Sequence, residues 1–148
     1  MNTMVEHYKK FIGQYVTTAP SPFSNWLRGK ILDVSESGIS LEFIVREEMT
    51  NPVKMLHGGM IAAIMDDMIG MTIFVTGIKN FYASVNLHVD FISNVRVGTA
   101  VIAKTQFVKK GQKVILAECN LYGPDNKLLA RGTSNLVEAE GTTYTHDV

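Results

Sequence analysis

The sequence predicts an α+β domain, with one long apolar helix covered by an antiparallel sheet. Three observations carry that expectation. Residues 58–75 run for 18 positions without proline and are rich in Met, Ile and Ala, too long a stretch for a strand. The residues that follow divide into runs of alternating apolar and polar positions separated by turn-forming residues. These strand-like runs follow one another instead of alternating with helices, which favours a sheet with segregated helices.

The elements follow in order. Met4, Val5, Tyr8, Phe11, Ile12 and Tyr15 fall at helical spacing, so a short amphipathic helix is expected over residues 4–16. Residues 17–25 contain Pro20 and Pro22 and are expected to form a loop. Residues 26–35 and 39–46 read as two strands around the turn Glu36-Ser37-Gly38. In the second, Ile39, Leu41, Phe43 and Val45 alternate with polar neighbours. Residues 47–56 are polar and read as a loop. The long helix then presents Ile61, Ile64, Met65, Met68 and Met71 as its core side. Residues 82–92 are expected as one strand, with Val85, Leu87, Val89 and Phe91 on one face and Ser84, Asn86, His88 and Asp90 on the other. Strands over 99–108, 114–122 and 128–137 complete the chain, with turns at 109–112 and 123–126. One principal helix leaves part of such a sheet open, and pairing between copies is a natural way to cover it.

Composition narrows the function. With 148 residues the chain is expected to form one domain over 1–148: a helix and loop over 1–25, a core over 26–138 and a tail over 139–148. Hydrophobic residues make up 46% and charged residues 19%, an ordinary globular balance. Fourteen basic side chains match fourteen acidic ones, which argues against general nucleic-acid binding. Cys119 is the one cysteine, so no internal disulfide or cysteine-based metal cluster is expected. His7, His57, His88 and His146 show no metal-ligand spacing, and neither metal nor cofactor is expected. The N-terminus lacks a basic region followed by an apolar run. The longest uncharged stretch, 11–27, is interrupted by prolines. A cytoplasmic protein without a membrane segment is therefore the expectation.

The chemistry concentrates between Asn51 and Gly70. Gly58 and Gly59 open the long helix, where first-turn N–H groups lack intrahelical partners and suit an anion or a carbonyl oxygen gaining charge. Gly58, Ala62, Asp66 and Gly70 share one face, a strip of small residues around one carboxylate. Asp67 lies about 100° further round and reads as a solvated charge. Asp66 stands about 12 Å along the axis from Gly58, too far for both to touch one reacting carbon. Two such helices running antiparallel would bring Gly58 of one copy to Asp66 of another and generate two equal sites. His57 serves either the loop or a substrate, and Ser84 and Asn86 point to a site or to water. The serine-elbow, phosphate-loop and dinucleotide patterns are absent.

With His57-Gly58-Gly59, an acid nine residues after the histidine, the strand Ser84–Phe91, Gly98 and Leu129-Ala130-Arg131-Gly132, the chain resembles hotdog-fold acyl-CoA thioesterases of the PaaI-like type. The resemblance spans roughly residues 26–137. It implies a long central helix wrapped by a curved antiparallel sheet, and dimers, often paired into tetramers, with shared active sites. It implies hydrolysis of an acyl-CoA to acid and CoA. Asp66 matches the catalytic carboxylate, as general base or nucleophile, and Gly58 the helix-start donor to the thioester carbonyl. Asn51 matches a residue near the carbonyl or the water. His57 and Ser84 match positions that orient substrate or water, with Gly59 beside them in the substrate site. The rival reading is a non-catalytic acyl-CoA-binding or regulatory hotdog protein. About 25 residues precede the first expected strand, too few for an ordinary helix-turn-helix domain. Dehydration is disfavoured, because the histidine loop of dehydratases is missing. Aromatic and fatty acyl groups both remain open. Trp26, Phe74, Phe81 and Tyr82 are candidates for the acyl pocket, and Lys54, Arg96, Lys109, Lys110 and Arg131 for the CoA phosphates.

Overall fold

A computed structural model describes residues 2–144; His146 lies outside them. Helix α1 covers Thr3–Lys9. Asn2 caps it, accepting from the Met4 and Val5 N–H groups at 3.1 and 3.4 Å. The Asn2 amide donates to the Thr76 carbonyl at 2.7 Å, tying α1 to the end of the long helix. The helix expected to reach residue 16 stops at residue 9. Residues beyond it take tight i→i+3 bonds, and Gly13 adopts a left-handed φ of 88° while donating to the Ile31 carbonyl.

Residues 17–25 are not wholly loop, because α2 occupies Pro22–Leu27. Ser21 is its N-cap and Pro22 its first residue, where the missing N–H costs nothing. Arg28, at φ 60°, ends it in the left-handed region. Trp26 and Leu27 are therefore helical, and β1 begins later than expected, at Lys30–Val34. Strand β2, Ile39–Ile44, buries Ile39, Leu41 and Phe43 as its alternation requires.

Helix α3 is Gly58–Val75, as expected. By length and composition it matches a membrane-crossing helix, yet here the sheet wraps it. Ile61, Ile64, Met65, Met68, Ile69 and Ile73 are buried against the strands. Met71, expected in the core, is half-buried and borders a cavity.

The strand expected over 82–92 is two strands, β3 (Asn80–Ser84) and β4 (His88–Phe91). Both pair with the long last strand, β7 (Leu128–Thr143), with Ser84 opposite Leu136 and His88 opposite Thr133. Four steps on one side meet three on the other, so one extra residue interrupts the ladder. The interruption inverts the alternation. Tyr82 is buried before it and Val89 packs on the core after it, whereas Val85, at the break, is 57% exposed. The single apolar face expected from the pattern does not exist.

Strands β5 (Ala100–Lys110) and β6 (Val114–Tyr122) complete the sheet, which is antiparallel throughout in the order β1-β2-β5-β6-β7-β3, with β4 also on β7. The sheet curls around α3 in the arrangement that the resemblance implies. At Gly132 it comes close to the helix: a Cβ there would lie 2.6 Å from the Met65 sulfur. A polar link crosses the core: the Thr72 and Thr105 hydroxyls meet at 2.5 Å, and Thr105 accepts from the Ile39 N–H at 2.9 Å. Cys119 is fully buried in β6, and burial pushes its thiol pKa up.

The β1–β2 turn is pressed onto β5, where a Cβ on Gly38 would lie 1.9 Å from the Thr105 carbonyl oxygen. Backbone cannot yield there as a side chain can. Gly38→Ala is expected to lower unfolding free energy by about 1–3 kcal/mol, read from urea denaturation; unchanged stability would show that the turn rests elsewhere.

Candidate active site

The loop before α3 is built by Asn51. Its side-chain carbonyl accepts from the Val53 and Met55 N–H groups, both at 3.1 Å, while Lys54 takes a left-handed φ of 62°. Leu56 N–H bonds the Val95 carbonyl and His57 N–H the Met49 carbonyl, each at 2.9 Å. These bonds deliver His57 to the N-cap of α3. There its Nδ1 accepts from the Gly59 N–H at 2.9 Å, so the ring hydrogen sits on Nε2. Gly59 is thereby occupied by the cap. Gly58, the first helical residue, keeps its N–H outside the intrahelical ladder. A Cβ on Gly58 would stand 3.3 Å from the exposed Phe91 ring.

Two turns further on, Asp66 is exposed and accepts a hydrogen bond from the Ser84 hydroxyl at 2.9 Å. Ser84 ends β3, just before the break in the strand, so the sheet itself positions the carboxylate. Both residues border a cavity of about 480 Å³, together with Gly70, Met71, Phe74, Phe81 and Tyr82. Nothing lies within 4 Å of where a Cβ of Gly70 would be. The small-residue strip of α3 is thus open space beside Asp66.

Asp67 departs from its expected role as a solvated charge. It is half-buried in the wall of the same cavity, and the Ser24 hydroxyl of α2 reaches both its oxygens, at 2.7 and 3.0 Å. Burial raises its pKa, partly offset by the Ser24 bond. A turn of about 100° from Asp66 aims it at a helix that pattern reading treats as loop. The Ser21-Pro22 pair, a cap followed by a first-turn proline, is the signal that points to that helix.

The expected site residues therefore fall into two groups. Asp66 and Ser84 meet at the cavity. Gly58, Gly59 and His57 meet at the helix start, about 12 Å away by helical rise. The Asn51 carbonyl is spent on its own loop. Of the four candidate aromatic residues, Phe74, Phe81 and Tyr82 line the cavity. Trp26 instead stacks on Phe23, with the Arg46 guanidinium 4.7 Å from its ring centre. Arg131 is paired with Asp90 at 3.1 Å and Lys54 with Glu47 at 2.5 Å.

The raised Asp67 pKa sets a sign. A carboxyl whose folded pKa lies above its unfolded value loses stabilising influence as pH rises from the unfolded to the folded value. Asp67→Asn keeps an acceptor for Ser24 and removes the buried charge. The variant is expected to match or exceed the parent in stability at neutral pH, with the gain vanishing below the ordinary carboxylate range. Denaturation at both pH values checks this, and a loss of stability at neutral pH would contradict it.

Known proteins supply the remaining comparison. The family model described as the Thioesterase superfamily matches residues 54–130, more than half of the chain and the segment that carries Gly58, Asp66 and Ser84. Human acyl-coenzyme A thioesterase 13 is 23% identical over 131 residues, 88% of this chain and 84% of that protein. The mouse thioesterase superfamily member 2 structure superposes with a TM-score of 0.77 at 21% identity, covering 93% of this chain and 98% of that one. The Escherichia coli PaaI protein of the phenylacetic acid degradation operon superposes at 0.75 with 16% identity, covering 83% and 88%. With the helix-start glycines and the cavity carboxylate inside the matched segment, the chain belongs to the thioesterase superfamily, and it shares the hotdog fold of the PaaI structure.

Proposed function

We propose that the protein hydrolyses acyl-CoA thioesters, without a cofactor, at sites shared between two protomers. The observation that carries this reading is an exposed carboxylate, Asp66, oriented by Ser84 at the wall of a cavity large enough for an acyl group. Similarity to an acyl-coenzyme A thioesterase supports the choice of substrate. A carboxylate beside a cavity bordered by apolar side chains suits catalysis better than passive binding of a thioester, whose reacting end is uncharged.

In this mechanism the thioester carbonyl oxygen lies against the Gly58 N–H of one protomer. The donor and the positive end of the α3 dipole stabilise the oxygen as it gains charge. Asp66 of the other protomer removes a proton from water, and the water oxygen adds to the carbonyl carbon. The C–S bond then breaks, and CoA leaves as thiolate to take up a proton. Attack by the carboxylate itself, through an anhydride that water opens, uses the same residues. Arg96 stands beside the α3 start through its backbone bridge with Met55 and is the better placed cation for the CoA phosphates, with Lys54 next to it if it exchanges its Glu47 partner for a phosphate. The interrupted edge β3–β4, with exposed Val85, Phe91 and Ile92, suits pairing with a second copy.

Two variants test catalysis and sharing together. Asp66→Asn is expected to lower kcat/KM by about 10²–10⁴-fold with the oligomer intact. Gly58→Pro removes the donor at a position where proline fits a helix, and is expected to cost about 10²–10³-fold. Mixing the two inactive proteins through unfolding and refolding restores about a quarter of the parent activity if each site draws on both chains. No restoration would place the whole site in one chain, and an active Asp66→Asn would overturn the assignment.

A further inference from the structure

A second cavity, of about 290 Å³, lies beneath α1 and the segment after it. It shares Ala19, Pro20, Met71 and Phe74 with the cavity that holds Asp66. The two spaces are therefore neighbours across one wall, on the same side of α3. A file of aromatic rings runs from one to the other. Phe81 meets Tyr144 at 5.5 Å between centroids, Tyr144 meets Phe74 at 5.4 Å, Phe74 meets Tyr8 at 5.8 Å and Tyr8 meets Phe11 at 6.1 Å. Burial raises the pKa of both Tyr8 and Tyr144. Along α3 the path leads from Asp66 past Gly70, whose missing side chain leaves open space, to Val75, about 13 Å by helical rise.

Resting on the thioesterase reading, we propose that the cavity beneath α1 is a distal acyl compartment, reached past Met71 and Phe74. It takes the far end of a long aliphatic acyl chain whose thioester lies near Asp66. A flexible Met at the neck suits this use, since its unbranched side chain adapts as the chain passes. A short acyl group or a single aromatic ring ends in the first cavity and leaves the second one empty. The compartment thus makes α1 and the segment joining it to α2 determinants of chain length. Thr18 and Gln14 border only the distal space, and both side chains are exposed, so a large residue at either position fills the compartment without entering the core.

The test compares hydrolysis of acetyl-, phenylacetyl-, octanoyl- and palmitoyl-CoA by the parent protein, Thr18→Trp and Gln14→Trp. The expected result is a fall of about tenfold or more in the palmitoyl-to-octanoyl ratio of kcat/KM, because several methylenes lose their cavity. A ratio unchanged in both variants overturns the compartment. If the parent hydrolyses none of these thioesters, the thioesterase reading falls separately. Calorimetric binding then decides the compartment: weakening of palmitoyl-CoA relative to octanoyl-CoA in the two variants supports it, and equal affinities in parent and variants overturn it.

Discussion

An 18-residue helix as apolar as α3 has to be covered, and the sheet, helped by α1 and α2, leaves one strip of it open. Everything else in the molecule follows from that constraint. Strands β5, β6 and β7 take the side of Ile61, Ile64, Met65, Met68 and Ile69. Gly132 lets β7 approach Met65 closely enough to close the wrap. The uncovered strip is the row of small residues with Asp66 in its middle. A larger residue there would either be pulled into the core or fill the cavity. The strip remains open because its residues are too small to fill it.

Two adjacent carboxylates illustrate how position on a helix decides chemistry. Asp66 looks into open space and is held by one serine hydroxyl from the sheet. Asp67, one residue on, is half-buried against α2 and bonded through both oxygens. The first is free to meet a substrate or a water, whereas the second docks a helix that walls the cavity. Neighbouring charges of the same type thus divide into an accessible group and a structural one. Desolvation of Asp67, with Asp66 nearby, is what raises its pKa.

Much of this was legible in the residues, and the failures have physical causes. Helix α3 is readable from length alone, and Asp66 from the small residues around it. The paired hydroxyl of Ser84 follows the strand that carries it. The break between β3 and β4 was not legible, because one extra residue leaves the alternating pattern intact in the sequence while inverting which side faces the core. Helix α2 was hidden because Pro22 reads as a breaker unless its position after Ser21 is noticed. The error at Asp67 follows from that at α2: without the helix there is nothing for the carboxylate to meet. The bonds that Asn51 makes to its own loop were not legible either, because the left-handed Lys54 that sets the loop's shape carries no sequence signal, and the Asn51 carbonyl serves two N–H groups there.

The buried Cys119 has a practical consequence. The proposed reaction releases a thiol, and the only thiol of the chain lies at the centre of the sheet, out of contact with solvent and held in its protonated form. A thiol-reactive dye added to the folded protein therefore reports released CoA against a silent background. Released CoA, in turn, finds no exposed sulfur on the protein with which to form a mixed disulfide. A fluorophore attached through an engineered surface cysteine would occupy one defined position, with the native cysteine left in place.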